Sequence, residues 1–144
     1  MNESIMFFPK NKNWDWYPIR RGPITIEPGG KVTLWDKKGS GWIYYALIQC
    51  NNPKLQIKID CYADTINEII VDIETLYNVL GNTGLGQGYF NVTKYDTTNN
   101  IYVVQYAPIS LGVPFRDRNV CTLRNPTTSS ITVNLVQAWL ILLK

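Results

Sequence analysis

Residues 54–62 read KLQIKIDCY, and in this run polar and apolar side chains alternate from one residue to the next. Successive side chains of a β-strand point to opposite faces, so strict alternation predicts a strand with one buried and one solvent-facing side. The predicted buried side consists of Leu55, Ile57, Ile59 and Cys61, and the predicted solvent side consists of Lys54, Gln56, Lys58 and Asp60. This is the most regular strand pattern in the chain.

Further strand patterns lie on both sides of this run. Residues 42–50, WIYYALIQC, are apolar almost throughout, which predicts a central strand buried on both faces. Residues 24–36 contain two short β-rich runs around a Pro-Gly-Gly turn. Two β-rich runs within 89–108, separated by the polar loop TTNN, predict a hairpin. The short run RNVCTLRN and a long run through 131–143 complete the pattern.

A helical signal lies near 72–81. Asp72 can accept hydrogen bonds at the start of a helix of about two turns, and Gly81 is placed where a helix-ending glycine belongs. The glycine-rich stretch GNTGLGQGYF (81–90) follows and leads into a strand. Helix, glycines and strand in this order are the reverse of a phosphate-binding loop, and no lysine follows the glycines. We therefore expect a turn or flexible connection there, and no nucleotide site.

About eight to nine strands, turns about every ten residues and at most one short helix near 72–81 predict an all-β chain. The expected architecture is an antiparallel β-sandwich of the jelly-roll-like kind. Residues 23–144 are interpreted as one β-sandwich domain. Residues 1–22 are aromatic and basic, lack a clear period and contain two prolines, so we interpret them as an extended N-terminal arm.

Composition excludes several classes of chemistry. The 144 residues contain no histidine, which removes Ser-His and Cys-His nucleophile pairs and histidine metal sites. A net charge of +3 without a long basic run argues against specific nucleic-acid binding. The apolar run IMFF that follows the polar start of the chain is too short for a signal core or a membrane span. The three cysteines are expected to be buried free thiols, with a Cys50–Cys61 bridge as the alternative.

Acidic side chains cluster between residues 60 and 74. They can be read as a glycosidase carboxylate pair or as weak calcium ligands, but solvated strand faces and one helix cap explain them more simply. The acids in question are Asp60, Asp64, Glu68, Asp72 and Glu74. We expect no catalytic residue, no metal and no cofactor.

Aromatic side chains are abundant, with five Trp, nine Tyr and four Phe. They can form a sugar-stacking platform, or they can pack in the core and at interfaces. Trp42 and Tyr44 are assigned to the core. The platform candidates are Trp14, Trp16, Tyr17, Trp35, Trp42, Tyr44, Tyr45, Tyr62, Tyr89 and Tyr95. The expected subunit-interface residues are Phe7, Phe8, Trp14, Trp16, Tyr17 and Trp139.

Two long segments share a pattern of turns. Residues 26–62, IEPGGKVTLWDKKGSGWIYYALIQCNNPKLQIKIDCY, place a turn, a strand, an NNP turn and an alternating strand in succession. Residues 99–136, NNIYVVQYAPISLGVPFRDRNVCTLRNPTTSSITVNLV, contain a Pro-Phe corner, a short strand and the closing run RNPTTSSITV. Together these segments, about half the chain, resemble the small β-sandwich structural proteins of double-stranded DNA viruses of bacteria and archaea.

The resemblance implies a non-enzymatic virion protein, such as a minor capsid, vertex, decoration or fibre-base subunit. Its implied partners are copies of itself and other virion proteins, and its implied location is the virion after synthesis in the host cytoplasm. The alternative function is a carbohydrate- or receptor-binding module that uses exposed Trp and Tyr to hold a host glycan or receptor. A carboxylate hydrolase is a third and more distant hypothesis.

Overall fold

A computed structural model describes residues 13–80, 90–106 and 114–144, which form two antiparallel sheets packed face to face. The larger sheet contains β1 (Trp14–Arg21), β2 (Ile24–Ile26), β4 (Gly41–Cys50), β7 (Phe90–Asp96), β8 (Ile101–Tyr106), β9 (Pro114–Phe115) and β11 (Ile131–Leu143). The smaller sheet contains β3 (Lys31–Lys38), β5 (Gln56–Tyr62), β6 (Ile66–Asp72) and β10 (Arg118–Arg124). One helix, α1 (Ile73–Leu80), follows β6.

The strand order confirms the predicted antiparallel β-sandwich. The larger sheet has the order β1-β11-β4-β8-β7 and the smaller sheet the order β3-β10-β5-β6. Along the chain the pairs are nested, because β2 pairs with β11, β3 with β10, β4 with β8 and β5 with β6. Such nesting is the connectivity of a long hairpin wound into two sheets, which is the jelly-roll arrangement.

The described residues form eleven strands, against the eight to nine predicted. The two additional strands are β1, which lies within the predicted arm, and β9, which forms at the Pro-Phe corner. β1 lies at the edge of the larger sheet, where Pro18 is tolerated because an edge strand needs fewer ladder donors. The larger sheet therefore begins at Trp14, whereas residues 1–12 of the predicted arm lie outside the described ranges.

The core lies between the sheets and follows the alternation read from the sequence. All four predicted inward side chains of 54–62 are buried, and they pack with inward residues of β4, β8, β10 and β11. The solvent side of that strand differs at Asp60, which is only 8% exposed. The prediction that β4 is buried on both faces is wrong, because its outward side is partly open and Tyr44 is 41% exposed.

Helix α1 begins where the sequence placed it. The Asp72 carboxylate accepts a hydrogen bond from the Thr75 backbone N–H at 2.8 Å and a second from the Thr75 hydroxyl at 2.9 Å. The helix connects the sheets, and Tyr77 stacks on Tyr95 of β7 with ring centres 4.0 Å apart. The predicted stop at Gly81 and the glycine-rich connection lie outside the described ranges.

All three cysteines are buried and unbonded, so the alternative of a Cys50–Cys61 bridge is not adopted. Burial raises the pKa of each thiol above its usual value of 9.0, and it raises that of Cys50 to about 11. Hydrogen bonds from the Cys50 thiol to the Asn52 carbonyl and from Asn119 to Cys61 only partly offset this effect. The folded chain therefore holds the thiols in their neutral form.

Native thiols are expected to be unreactive toward a disulfide reagent at about pH 8, because reaction requires an accessible thiolate. All three should react after unfolding in guanidinium. Above pH 9.0 the unfolded chain loses thiol protons that the folded chain keeps, so the free energy of unfolding should fall as pH rises toward 11. Thiol titration and pH-dependent urea unfolding measure both effects, and rapid native labelling would contradict them.

Candidate interaction surface

Six aromatic side chains gather on the outward side of the larger sheet, where β1, β11 and β4 lie next to one another. The register places Trp139 of β11 between Pro18 of β1 and Tyr45 of β4. It likewise places Ile141 between Trp16 and Trp42. We call this surface the aromatic face, and its members are Trp14, Trp16, Trp42, Tyr44, Tyr45 and Trp139.

The rings of the aromatic face mostly contact one another edge to face. Ring centres are 5.6 Å apart for Trp14 and Trp42 and 5.1 Å apart for Trp16 and Tyr44, with interplanar angles of 65° and 90°. Trp139 contacts Trp16 at 6.5 Å and Tyr45 at 6.1 Å. Offset and edge-to-face packing is the favoured geometry for aromatic pairs and adds about 0.5–1.5 kcal/mol per pair beyond burial. Among the described residues, the ring contacts therefore form two groups on one side of the sheet, a pair of Trp14 with Trp42 and a chain of Tyr44, Trp16, Trp139 and Tyr45.

Ile141 shows how well this layer covers the sheet. The side chain is 3% exposed, yet it does not belong to the core between the sheets. Ile141 lies directly between Trp16 and Trp42 in the ladder, where rings on both sides can shield it from water. The outward side of the larger sheet therefore carries a second, thin apolar layer, bordered by the exposed side chains of Tyr44 and Leu143.

The structure brings together three of the six predicted interface residues, namely Trp14, Trp16 and Trp139. Tyr17 points the other way, packs against the core and contacts Lys37, whose Nζ lies 3.9 Å from the ring centre. Phe7 and Phe8 lie outside the described ranges. The assignment of Trp42 and Tyr44 to the core is wrong, because both lie outward.

The sequence signal for Trp42 and Tyr45 is an alternation within β4 that a bulge interrupts. Ile43, Ala46 and Ile48 face inward, and a register shift near Tyr44 places both tyrosines and Trp42 on the outward side. This bulge inserts one residue, which reverses the phase of the alternation. Periodicity read across a bulge assigns the residues on one side of it to the wrong face.

The remaining platform candidates are spread over the molecule. Trp35 is buried in the core, where its indole N–H donates to Asn119 Oδ1 at 2.6 Å. Tyr62 lies on the smaller sheet with the Arg118 guanidinium 5.3 Å from its ring centre. Tyr95 packs under α1, and Tyr89 lies outside the described ranges. No single platform of ten aromatic residues is formed by the described residues.

The acidic residues at 60–74 also separate. Lys58 Nζ lies 3.7 Å from Asp60 Oδ2 and 3.6 Å from Glu68 Oε1, while Asp64 pairs with Arg116 and Asp72 caps α1. Within 13–80, 90–106 and 114–144, no group of three or more His, Cys, Asp or Glu side chains is arranged to hold a metal ion. Asp64, Glu68 and Asp72 are thus explained by ion pairs and a helix cap.

Electrostatic pairing on the smaller sheet is concentrated at Asp36 and Arg118. The guanidinium donates from Nε and Nη2 to the two carboxylate oxygens at 2.7 and 2.5 Å, a bidentate arrangement. This hydrogen bonding lowers the pKa of Asp36 and raises that of Arg118. The pair is exposed, so it defines the register of β3 and β10 more than it adds stability.

In the part of the chain that the structure describes, no helix has the length and apolar character needed to cross a membrane. No family model and no curated protein sequence matches this chain.

Proposed function

We propose that this chain is a non-enzymatic structural protein that assembles with copies of itself through the aromatic face. The observation that carries the proposal is the gathering of six aromatic side chains, in two contacting groups, on the outward side of the larger sheet. Trp and Tyr are enriched at the buried centres of protein interfaces, where they supply much of the binding free energy. Contiguous apolar surface of this kind marks interaction sites on soluble proteins.

The packing of the rings favours a protein partner over a sugar. Trp14 and Trp42, and Trp16 and Tyr44, pack edge to face. Neighbouring ring edges therefore cover ring faces that a pyranose would need for stacking.

An edge strand offers a second contact. β6 ends the smaller sheet, and its Ile66 and Ile70 side chains are 53% and 51% exposed. An edge strand presents unpaired backbone groups that can pair with another chain. Pairing at β6 would extend an assembly in a direction different from that of the aromatic face.

Placement in a virus particle completes the proposal. It is supported by the turn patterns of 26–62 and 99–136 and by the nested strand pairing, an arrangement that viral capsid domains use. Three buried free thiols also suit synthesis in a reducing cytoplasm. Mass spectrometry of purified particles tests this part, since the chain should be present in a fixed ratio to the major capsid protein.

A charge introduced at the aromatic face is expected to prevent self-association. Tyr44→Glu places a carboxylate at an exposed position of the face, where burial in an interface would require its desolvation. Sedimentation analysis should show oligomers for the native chain and at least a tenfold weaker association, about 1.4 kcal/mol, for the variant.

The matched control is Val79→Glu, which adds the same charge at a side chain that is 75% exposed on α1, away from the face. It should leave association unchanged. A native chain that stays monomeric at micromolar concentration, or equal weakening by both variants, would contradict self-assembly through the aromatic face.

A further inference from the structure

A polar groove of about 400 Å³ lies on the outward side of the smaller sheet, across β3, β10, β5 and β6. The register aligns its lining in rows. Lys31, Arg124 and Gln56 form the first row, and Thr122, Lys58 and Ile70 form the second, with Asp60 two residues farther along β5 than Lys58. The groove is thus built from four paired strands, and its floor is a rigid sheet.

Asp60 is the unusual group in this groove. The residue is 8% exposed, and its Oδ1 atom is buried without a hydrogen-bond donor among the described residues. Lys58 Nζ lies 3.7 Å from Oδ2, which is longer than a normal hydrogen bond. A buried carboxylate without donors is costly, so its environment favours a ligand that brings a donor.

The other end of the groove has the opposite character. Lys31 and Arg124 lie opposite each other in the β3–β10 ladder, and both are exposed. Neither side chain forms an ion pair or a hydrogen bond with another described residue. Two adjacent unpaired cations favour an anionic group, and a guanidinium can hold a carboxylate in a bidentate manner.

We propose that this groove binds a sugar acid, a ring that carries one carboxylate and several hydroxyls. The carboxylate pairs with Arg124 and Lys31, while a hydroxyl donates to Asp60. Thr122 lies between these ends and Gln56 lies beside Arg124, and both can hydrogen-bond further hydroxyls. Ile70 supplies an apolar flank for a ring face.

Charge and donor requirements together exclude simpler ligands. A simple carboxylate such as acetate brings no hydroxyl donor for Asp60, whereas a neutral sugar brings no negative charge for Arg124 and Lys31. The groove lies on the side of the sandwich opposite the aromatic face, so a chain assembled through that face keeps the groove open. The inference therefore goes beyond the proposed function and does not depend on it.

The test uses the full chain, labelled with nitrogen-15, and glucuronic acid as the probe. Titration should shift the backbone amide signals of Lys58, Asp60 and Thr122 with a saturable dependence on concentration. Glucose has the hydroxyls without the carboxylate, and acetate has the carboxylate without the hydroxyls. Each should bind at least tenfold more weakly than glucuronic acid. A disaccharide that ends in glucuronic acid shows whether the natural ligand is a glycan chain or the free acid. Tighter binding of the disaccharide indicates a glycan chain, and equal binding indicates the free acid.

Variants test whether the groove is a specific binding site or whether the net charge of the protein alone attracts the ligand. Arg124→Gln should remove the preference for glucuronic acid over glucose, and Asp60→Asn should weaken glucuronic acid at least tenfold. Lys38→Gln, on the same strand as Lys31 but outside the groove, should change the affinity less than twofold. Arg124 is exposed, so its variant keeps the test decisive even if the Asp60 variant does not fold.

Three results would overturn the proposal. One is the absence of saturable shifts in the groove. The second is phosphate or acetate binding as tightly as glucuronic acid, which would identify an adventitious anion site. The third is an equal loss of affinity in the Lys38 and Arg124 variants, which would show that net charge alone attracts the ligand.

Discussion

Gly41→Ala is expected to lower the free energy of unfolding by about 4 kcal/mol or more, the range reached when a substitution forces the backbone to move. A Cβ atom at Gly41 would lie 2.9 Å from the Ile141 carbonyl carbon and closer still to its oxygen. It would also lie 3.1 Å from Leu142 Cα. All three atoms belong to the backbone of β11, so no side-chain rotation relieves the contact.

The consequence extends beyond the first residue of β4. Gly41 pairs with Leu142 and with Phe115, and the next residue, Trp42, pairs with Ile141 under the aromatic face. Separating β4 from β11 at this end therefore displaces Trp42 together with the strand. We expect reduced near-ultraviolet circular dichroism from the tryptophans along with a lower urea midpoint.

Gly29→Ala is the matched control, because it adds the same methyl group at a glycine with open space around the Cβ position. Gly29 has a φ of +73°, so the expected cost is conformational only, about 1–2 kcal/mol. Equal destabilisation by the two substitutions would show that the close approach at Gly41 is not what constrains β4.

Asn125→Ala is expected to cost about 3 kcal/mol, because one fully buried amide holds two chain turns together. Asn125 Nδ2 donates to the Ile26 carbonyl at 2.8 Å and to the Ser129 carbonyl at 2.7 Å. Its Oδ1 accepts from the Thr127 N–H at 2.9 Å and from the Thr127 hydroxyl at 2.6 Å. Truncation leaves these groups, including a carbonyl in the core, without their partner.

Two further variants test this role in urea unfolding experiments. Asn125→Asp keeps the acceptor but loses both donated hydrogen bonds, and its carboxylate places a negative charge against two carbonyl oxygens. It should therefore lower the free energy of unfolding at least as much as alanine does. Asn52→Ala removes one exposed hydrogen bond to the Lys54 N–H and should cost less than about 1 kcal/mol. Similar losses at positions 52 and 125 would contradict the proposed network.

The sequence predicted well wherever one physical effect dominated locally. Strict alternation placed Ile57 and Ile59 in the core, and the side chain of Asp72 started α1 as its hydrogen-bonding capacity predicted. The hairpin of β7 and β8 followed from its polar turn, in which Asn100 adopts a φ of 53° that asparagine tolerates. These features depend on neighbours within a few residues.

Errors arose where a distant strand decided the outcome. β1 looked irregular because its side chains serve two environments, with Tyr17 inward and Trp16 outward, and Pro18 interrupts the pattern. β1 is held in a strand conformation by antiparallel pairing with β11, which lies more than a hundred residues away in sequence. Asp60 was assigned to solvent by alternation, and only the packing of β5 between β6 and β10 buries it.

By itself, the sequence determined an all-β antiparallel sandwich, its alternating core and the position of its helix, because periodicity and turn chemistry are local properties of the chain. Only the tertiary structure decided that six aromatic side chains of β1, β4 and β11 share one outward surface, and that Asp60 lies in one groove with Lys31 and Arg124. Both sites join residues that are distant in sequence. Which distant strands pair depends on how well the two sheets together bury their apolar side chains.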